Sequence, residues 1–356
     1  MPGFGFGASA SQQQLVTAGG VPAWSETNPA VIIAWMQRVF ANANAGIPAS
    51  ETGPLSPDYA MGSVLLPNGK VLLVPGGLAG WEPDCGVAYR VYDQDAGTLT
   101  EGDADTGCYG CCLLPSGRVV SAPFGYGTKV KLYDYLTDTA SDGPVATGYM
   151  SPSLAANGKV IMAPYSAAAI GIYDDALGTF SNGPALTGYA SSIRAPNGNI
   201  IFSSMSNSKL MVFNPATGVL SDGPLTDGVY ASMVLAPSGK IICIPWPATN
   251  VAIYDPDANT IVKSAIVMSH TYYGGCVLPD GRIYFAAYNA LLGAIYDPIA
   301  DSIEDVSSHI SSTTGATLMP GGRVAVCASV EHMPIYFPNC GTIAIESLLT
   351  PWLNHF

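Results

Sequence analysis

Between about Pro57 and Leu349 the apolar residues come in short runs parted by turns, and no 3.6-residue apolar stripe develops between the turns. Leu235-Ala236-Pro237-Ser238-Gly239-Lys240-Ile241-Ile242-Cys243-Ile244-Pro245 shows the unit. One apolar run enters a Pro-x-Gly-Lys turn and a second leaves it, which predicts a β-hairpin whose glycine supplies the positive φ of the turn. Tyr254-Asp255-Pro256 then ends a further strand and opens another turn.

The unit recurs. Hairpin glycines stand at Gly69, Gly117, Gly158, Gly198, Gly239, Gly281 and Gly322, at spacings of 48, 41, 40, 41, 42 and 41. Closing aromatics stand at Tyr92, Tyr133, Tyr173, Phe213, Tyr254, Tyr296 and Tyr336, at spacings of 41, 40, 40, 41, 42 and 40. Two independent anchors on one period, with several short strands in each unit, predict β-propeller blades. In the third unit the strands are expected near Tyr149–Leu154, Lys159–Pro164, Ala169–Tyr173 and Gly178–Ser181. The fold class is therefore all-β: a seven-bladed β-propeller of four-stranded blades, preceded by an extended N-terminal arm and a short α-helix. The blades fall at about 57–106, 107–146, 147–186, 187–227, 228–268, 269–310 and 311–350, within a propeller domain of 51–356 that follows an N-terminal segment of 1–50. Cys340–Glu346 is expected to supply the fourth strand of the last blade, leaving the N-terminal segment outside the ring.

That segment opens Gly-, Ala-, Ser- and Gln-rich, a composition that builds no core. A helix is expected after Asn28 as N-cap and Pro29 as first helical residue, ending near Gly46. Its apolar face, with Val31, Trp35, Met36 and Phe40, needs a partner, either the side of the ring or a neighbouring subunit. Together with Phe4 and Phe6 these residues are the expected assembly anchor.

In an up-and-down blade the 1–2 and 3–4 turns share one face, and the 2–3 and 4–1 connections share the other. The repeating Pro-x-Gly-Lys/Arg turns thus mark a bottom face and the variable loops a top face, where function is expected. Top loops carry Trp81, Phe124, Tyr126, Tyr165, Trp246 and Tyr288, and the first strands open near Tyr109, Tyr149, Tyr189, Tyr230 and Tyr272. Aromatics with few charges around them suit stacking on sugar rings or burial against a protein. Packing at the mouth of the central channel is the alternative role for the first-strand tyrosines.

Charge sharpens this picture. Only 11% of residues are charged and the formal net charge is −13, which speaks against a nucleic-acid partner. Six of the thirteen cations (Lys70, Arg118, Lys159, Lys240, Arg282 and Arg323) directly follow a hairpin glycine, near turn acids such as Asp93 and Asp255, so local pairing on the bottom rim is expected. The apolar run at Val31–Phe40 is too short to span a bilayer, and no membrane partner is expected.

Of the eight cysteines, Cys108, Cys111 and Cys112 include a CxxC spacing without the second pair that a zinc site requires. Cys85 and Cys108 fall on adjoining blades at the top face, where a disulfide is geometrically open to them. His270, His309 and His332 with Glu331 map to separate top connections, and no metal or other cofactor is assigned.

Leu-Pro-x-Gly-Lys/Arg-Val followed by Tyr-Asp-x-x-x-Gly-Thr resembles the kelch-type repeats of the galactose oxidase central domain, over about 290 residues. That resemblance implies the propeller, and for the oxidases a copper site with a Tyr–Cys cross-link, but no copper ligand can be matched here residue by residue. The Gly3-Phe4-Gly5-Phe6 start and the low charge resemble a bacteriophage virion protein whose arm anchors a propeller. The leading expectation is a non-enzymatic structural or recognition protein of a virion, bound to other structural proteins of the assembly, homo- or hetero-oligomeric, with a host-surface glycan as a further ligand. An extracellular or cell-surface setting is the alternative. The alternative functions are a polysaccharide hydrolase or lyase using Glu82, Asp84, Glu101 or Asp103, or a kelch-type metal oxidase.

Overall fold

The computed structural model describes residues 50–336, apart from 56–59, 77–87, 105–106, 269, 289–292, 307–312, 320–321 and 329–331. The expected arm and helix, with Phe4, Phe6, Val31, Trp35, Met36 and Phe40, lie outside the described residues, as do Trp81 and Cys85. The described residues form twenty-eight strands, β1 to β28 in chain order, in seven antiparallel sheets of four. In the third blade they run Tyr149–Leu154, Val160–Pro164, Ala169–Asp174 and Thr179–Ala185, close to the spacing-based expectation. None of the described residues form a helix long and apolar enough to cross a membrane.

The first strands of the blades are β2 (Ala60–Leu65), β6 (Cys108–Leu113), β10 (Tyr149–Leu154), β14 (Tyr189–Arg194), β18 (Tyr230–Leu235), β22 (Tyr272–Val277) and β26 (Thr313–Leu318). Each touches the next, and β26 touches β2, so they form the inner wall of a closed ring. Second strands such as Val119–Pro123 and Ile241–Pro245 are buried on both faces, which is why they read as unbroken apolar runs. The core is correspondingly a circle of clusters between blades. One holds Tyr149 of blade 3 against Val120 and Leu132 of blade 2, and its counterpart holds Tyr230 of blade 5 against Ile201 and Leu210 of blade 4.

The turns keep the promise of the repeat. Asp93 accepts hydrogen bonds from the amides of Asp95 and Ala96, at 3.0 and 3.1 Å, and Asp255 does the same for Asp257 and Ala258. Where the left-handed residue of the turn between the third and fourth strands is not glycine, it is Asp138, Asn259 or Asp301, and each accepts a hydrogen bond from the hydroxyl of its blade's closing tyrosine. Bottom-rim pairing also occurs: Lys70 meets Asp93 at 2.9 Å and Lys159 meets Asp174 at 3.3 Å, while Arg118 instead reaches Asp175 of the next blade.

Closure of the ring differs from the expectation. The fourth strand of blade 7 is β1 (Ser50–Leu55), paired antiparallel with β28 (His332–Tyr336) through Ser50↔Tyr336, Glu51↔Ile335 and Leu55↔His332. Cys340–Glu346, expected in that place, lies outside the described residues. The ring is therefore sewn shut by main-chain hydrogen bonds between the two ends of the described chain, not by packing alone.

Every first strand carries a register shift near its third residue, a bulge that brings neighbouring blades close at the axis. Those third residues are Gly62, Gly110, Ser151, Ser191, Ser232, Gly274 and Gly315. A Cβ on Gly274 would stand 2.8 Å from the Gly315 Cα, at a φ of +77°, so neither the space nor the backbone admits a side chain. Gly274→Ala is expected to cost about 2 kcal/mol, read as a lower denaturant midpoint. An unchanged midpoint would show that the contact yields freely.

Candidate functional site

The second residues of the first strands meet on the axis just above this ring of small residues. Tyr109, Met150, Ala190, Ala231 and Tyr273 are all buried there, from five different blades, and Met61 packs against them. The top loops add Phe124, Met205, Trp246 and Tyr288 to the same cluster. The result is a connected path of rings across the mouth. Tyr165 meets Phe124 edge-on at 5.4 Å, Phe124 meets Tyr109 at 5.7 Å, and Tyr109 meets Tyr273 at 6.2 Å. Trp246 then touches Tyr273 at 5.4 Å and Tyr288 at 4.1 Å. Edge-to-face contacts of this kind suit the ring quadrupoles and fix the plane of each ring.

At the centre the Tyr109 hydroxyl donates a hydrogen bond to the Tyr273 hydroxyl oxygen. Burial pushes both phenols well above the ordinary tyrosine range, so they stay protonated through neutral pH. They are packing and hydrogen-bonding groups there, not bases. The outer rings differ: Tyr126 is 64% exposed and Tyr165 37% exposed, with Phe124, Trp246 and Tyr288 half-buried between them and the axis. Exposed apolar side chains also stand on the top rim at Val145, Leu225 and Val267, which end the fourth strands of blades 2, 4 and 5.

The structure thus gathers Phe124, Tyr165, Trp246, Tyr288 and Tyr109 at one place, and keeps Tyr126 on the same loop as Phe124. It places Tyr149, Tyr189, Tyr230 and Tyr272 elsewhere: they are first residues of their strands, buried in the clusters between blades and closed to a partner. Tyr109 is not their equivalent. It is the second residue of β6, and Cys108 holds the first position. Tyr273 is the member that the sequence reading overlooked, although its doublet with Tyr272 places it at the register of Tyr109.

Cys108 is buried, and its pairing with Cys85 lies outside the described residues. Burial pushes the Cys111 and Cys112 thiols up, away from the reactive thiolate. Among the acids weighed for hydrolysis, Glu101 is on an outer strand and pairs with Arg90 at 3.5 Å; Glu82 and Asp84 lie outside the described residues.

Below the ring of small residues the channel widens into a cavity of about 640 Å³. It runs from Ser63, Ser151 and Ser192 down to the hairpin turns at Ala156 and Gly198, so it belongs to the bottom half of the ring. Hydroxyls in its wall are largely satisfied by one another: Ser63 with Thr317 at 2.6 Å, and Ser192 with Ser153 at 3.0 Å.

No protein-family model and no curated protein matches the chain. Solved structures do. A streptogramin B lyase superposes with a TM-score of 0.67 at 14% identity, over 81% of this chain and 95% of its own. The virginiamycin B lyase of Staphylococcus aureus gives 0.69 at 11% identity, over 81% and 99%. A fungal alcohol oxidase in complex with copper gives 0.63 at 14% identity, over 82% of this chain and 77% of its own. At such distance the likeness shows the propeller fold alone, and the neighbours include both lyases and an oxidase.

Proposed function

We propose that this propeller is a recognition module rather than a catalyst, with the aromatic mouth at its top face as the binding surface. The carrying observation is the path of ring contacts from Trp246 and Tyr288 through Tyr273, Tyr109 and Phe124 to the exposed Tyr165. Rings locked by their neighbours lose little conformational freedom on binding, so a stacked partner keeps most of the contact energy. The partner is a protein of a larger assembly or a glycan, both of which present flat apolar faces to such a surface. On this reading residues 1–50 anchor the ring in the assembly, a phage particle being the setting that the sequence suggests.

The test is the double variant Tyr126→Ala/Tyr165→Ala, assayed for retention on its particle and on a glycan array. Binding is expected to fall roughly 10- to 30-fold, the usual cost of truncating interface aromatics, with thermal stability unchanged. Undiminished binding in both assays would overturn the reading. Release of new reducing ends from a polysaccharide panel by the intact protein would overturn its non-catalytic part.

A further inference from the structure

The sixth residue of each first strand, the last before the hairpin, forms a ring at the bottom of the channel. Six of these residues are Leu65, Leu113, Leu154, Leu235, Val277 and Leu318, and the seventh is Arg194. Arg194 is the single charged residue in all seven first strands. It also lines the 640 Å³ cavity, whose described wall contains no carboxylate.

Its surroundings are unusual for this protein. Acids outnumber cations twenty-six to thirteen, and cations such as Lys129, Lys209 and Arg282 are paired with Asp or Glu. Among the described residues Arg194 pairs with no carboxylate, and its side chain makes one hydrogen bond, a long one of 3.4 Å from Nη1 to the Leu154 carbonyl. Burial alone accounts for a lowered pKa there, with no neighbouring charge contributing. A half-buried guanidinium without an anion is costly, and a leucine, which five of the other six blades carry at this level, would pack without that cost. An isolated planar donor fork at the mouth of a cavity is matched by a carboxylate, which it can hold with two parallel hydrogen bonds.

The rest of the wall says what the carboxylate is attached to. The sides are aliphatic, with Leu113, Met233, Val234 and Leu318, and the hydroxyls above them already bond one another. The volume falls inside the range of roughly 300–1,000 Å³ usual for small-molecule sites. We propose that the lower channel binds a small organic carboxylate, its charged end on Arg194 and its aliphatic body along the channel axis. This site is at the end opposite the aromatic mouth and stands whether or not that mouth binds a partner.

Octanoate, with 1-octanol as its uncharged counterpart and inorganic phosphate as an anion without an aliphatic body, tests the proposal by calorimetry on the full-length protein. Arg194→Leu restores the residue of the other blades and is expected to fold. Octanoate should bind one to one, and Arg194→Leu should weaken it at least about tenfold, the loss expected for a charge-assisted hydrogen bond. The weaker binding of 1-octanol should be the same in both proteins. Without ligand the variant should melt about 2 °C higher than the natural chain, which a purely structural role for Arg194 would not produce. Octanoate should raise the melting temperature of the natural chain more than that of the variant. Failure of octanoate to bind, equal octanoate affinity in Arg194→Leu, or a lower melting temperature in that variant would each overturn the proposal. Phosphate binding as tight as octanoate would overturn the aliphatic part of it.

Discussion

Between pH 10 and pH 12 the ring is expected to unfold in one cooperative step, with tyrosinate formation tracking the loss of structure. Tyr173, Tyr254 and Tyr272 are each 1% exposed in the clusters between blades, and burial pushes each phenol up to about 12 from an ordinary value near 10. Tyr109, Tyr230, Tyr273 and Tyr296 are raised as well, chiefly by burial. The folded chain favours the protonated phenol, so this contribution is complete below pH 10. It is lost as pH climbs towards the folded value, because the unfolded chain gives up its protons first. Each such tyrosine removes about 1.4 kcal/mol per pH unit across that window. The three at about 12 alone would take roughly 8 kcal/mol, against a total stability of roughly 5–15 kcal/mol for a folded protein. Absorbance at the tyrosinate band and far-ultraviolet circular dichroism, followed together through an alkaline titration, check this. Smooth titration of all tyrosines near pH 10 with the fold intact would show that water reaches the phenols between blades.

The second large effect concerns closure. Removal of residues 1–56 should leave blade 7 one strand short, whereas removal of residues 1–45 should leave the ring intact and cost only the attachment proposed for the arm. Four paired residues of β1 (Ser50, Glu51, Thr52 and Leu55) face β28. At about 1 kcal/mol for each hydrogen-bonded residue the deletion costs roughly 4 kcal/mol, a drop on the order of 10 °C in melting temperature. It also bares the polar edge of β28, which invites pairing between molecules. A synthetic peptide spanning residues 48–56 should restore part of the lost melting temperature. Equal melting of the two truncations would show that β1 contributes nothing to closure.

The hairpin glycines were enough to read the blades, because a turn that needs positive φ tolerates little else and so repeats in sequence as well as in space. The closing strand is legible by the same logic. Gly143-Pro144-Val145, Gly183-Pro184-Ala185 and Gly223-Pro224-Leu225 each end a fourth strand, and Gly53-Pro54-Leu55 carries the same motif. The glycine is required where the outer strand crosses a third-strand carbonyl: a Cβ would stand 3.2 Å from Val130 O at Gly143, 2.9 Å from Leu210 O at Gly223 and 2.4 Å from Met333 O at Gly53. The proline that follows withholds a donor from the exposed edge. Tyr109 matches Tyr149 in type, but counting back from the hairpin glycine puts Cys108 in that position and Tyr109 on the axis. Arg194 is legible as the one departure from an aliphatic column at the foot of the first strands. What no count along the chain supplies is convergence. Rings from loops far apart in sequence meet across the mouth only because the circle closes.

The pairing of β1 with β28 also sets a schedule. Among the described strands β1 is made first and paired last, because its partner lies at the far end of the described chain. Six blades can assemble from their own neighbours as they emerge, each hairpin joining residues close in sequence. The seventh must wait with an open edge until nearly the whole ring has been synthesised. Exposure of an open strand edge therefore lasts until the end of the ring's synthesis, when Ser50–Leu55 can pair with β28.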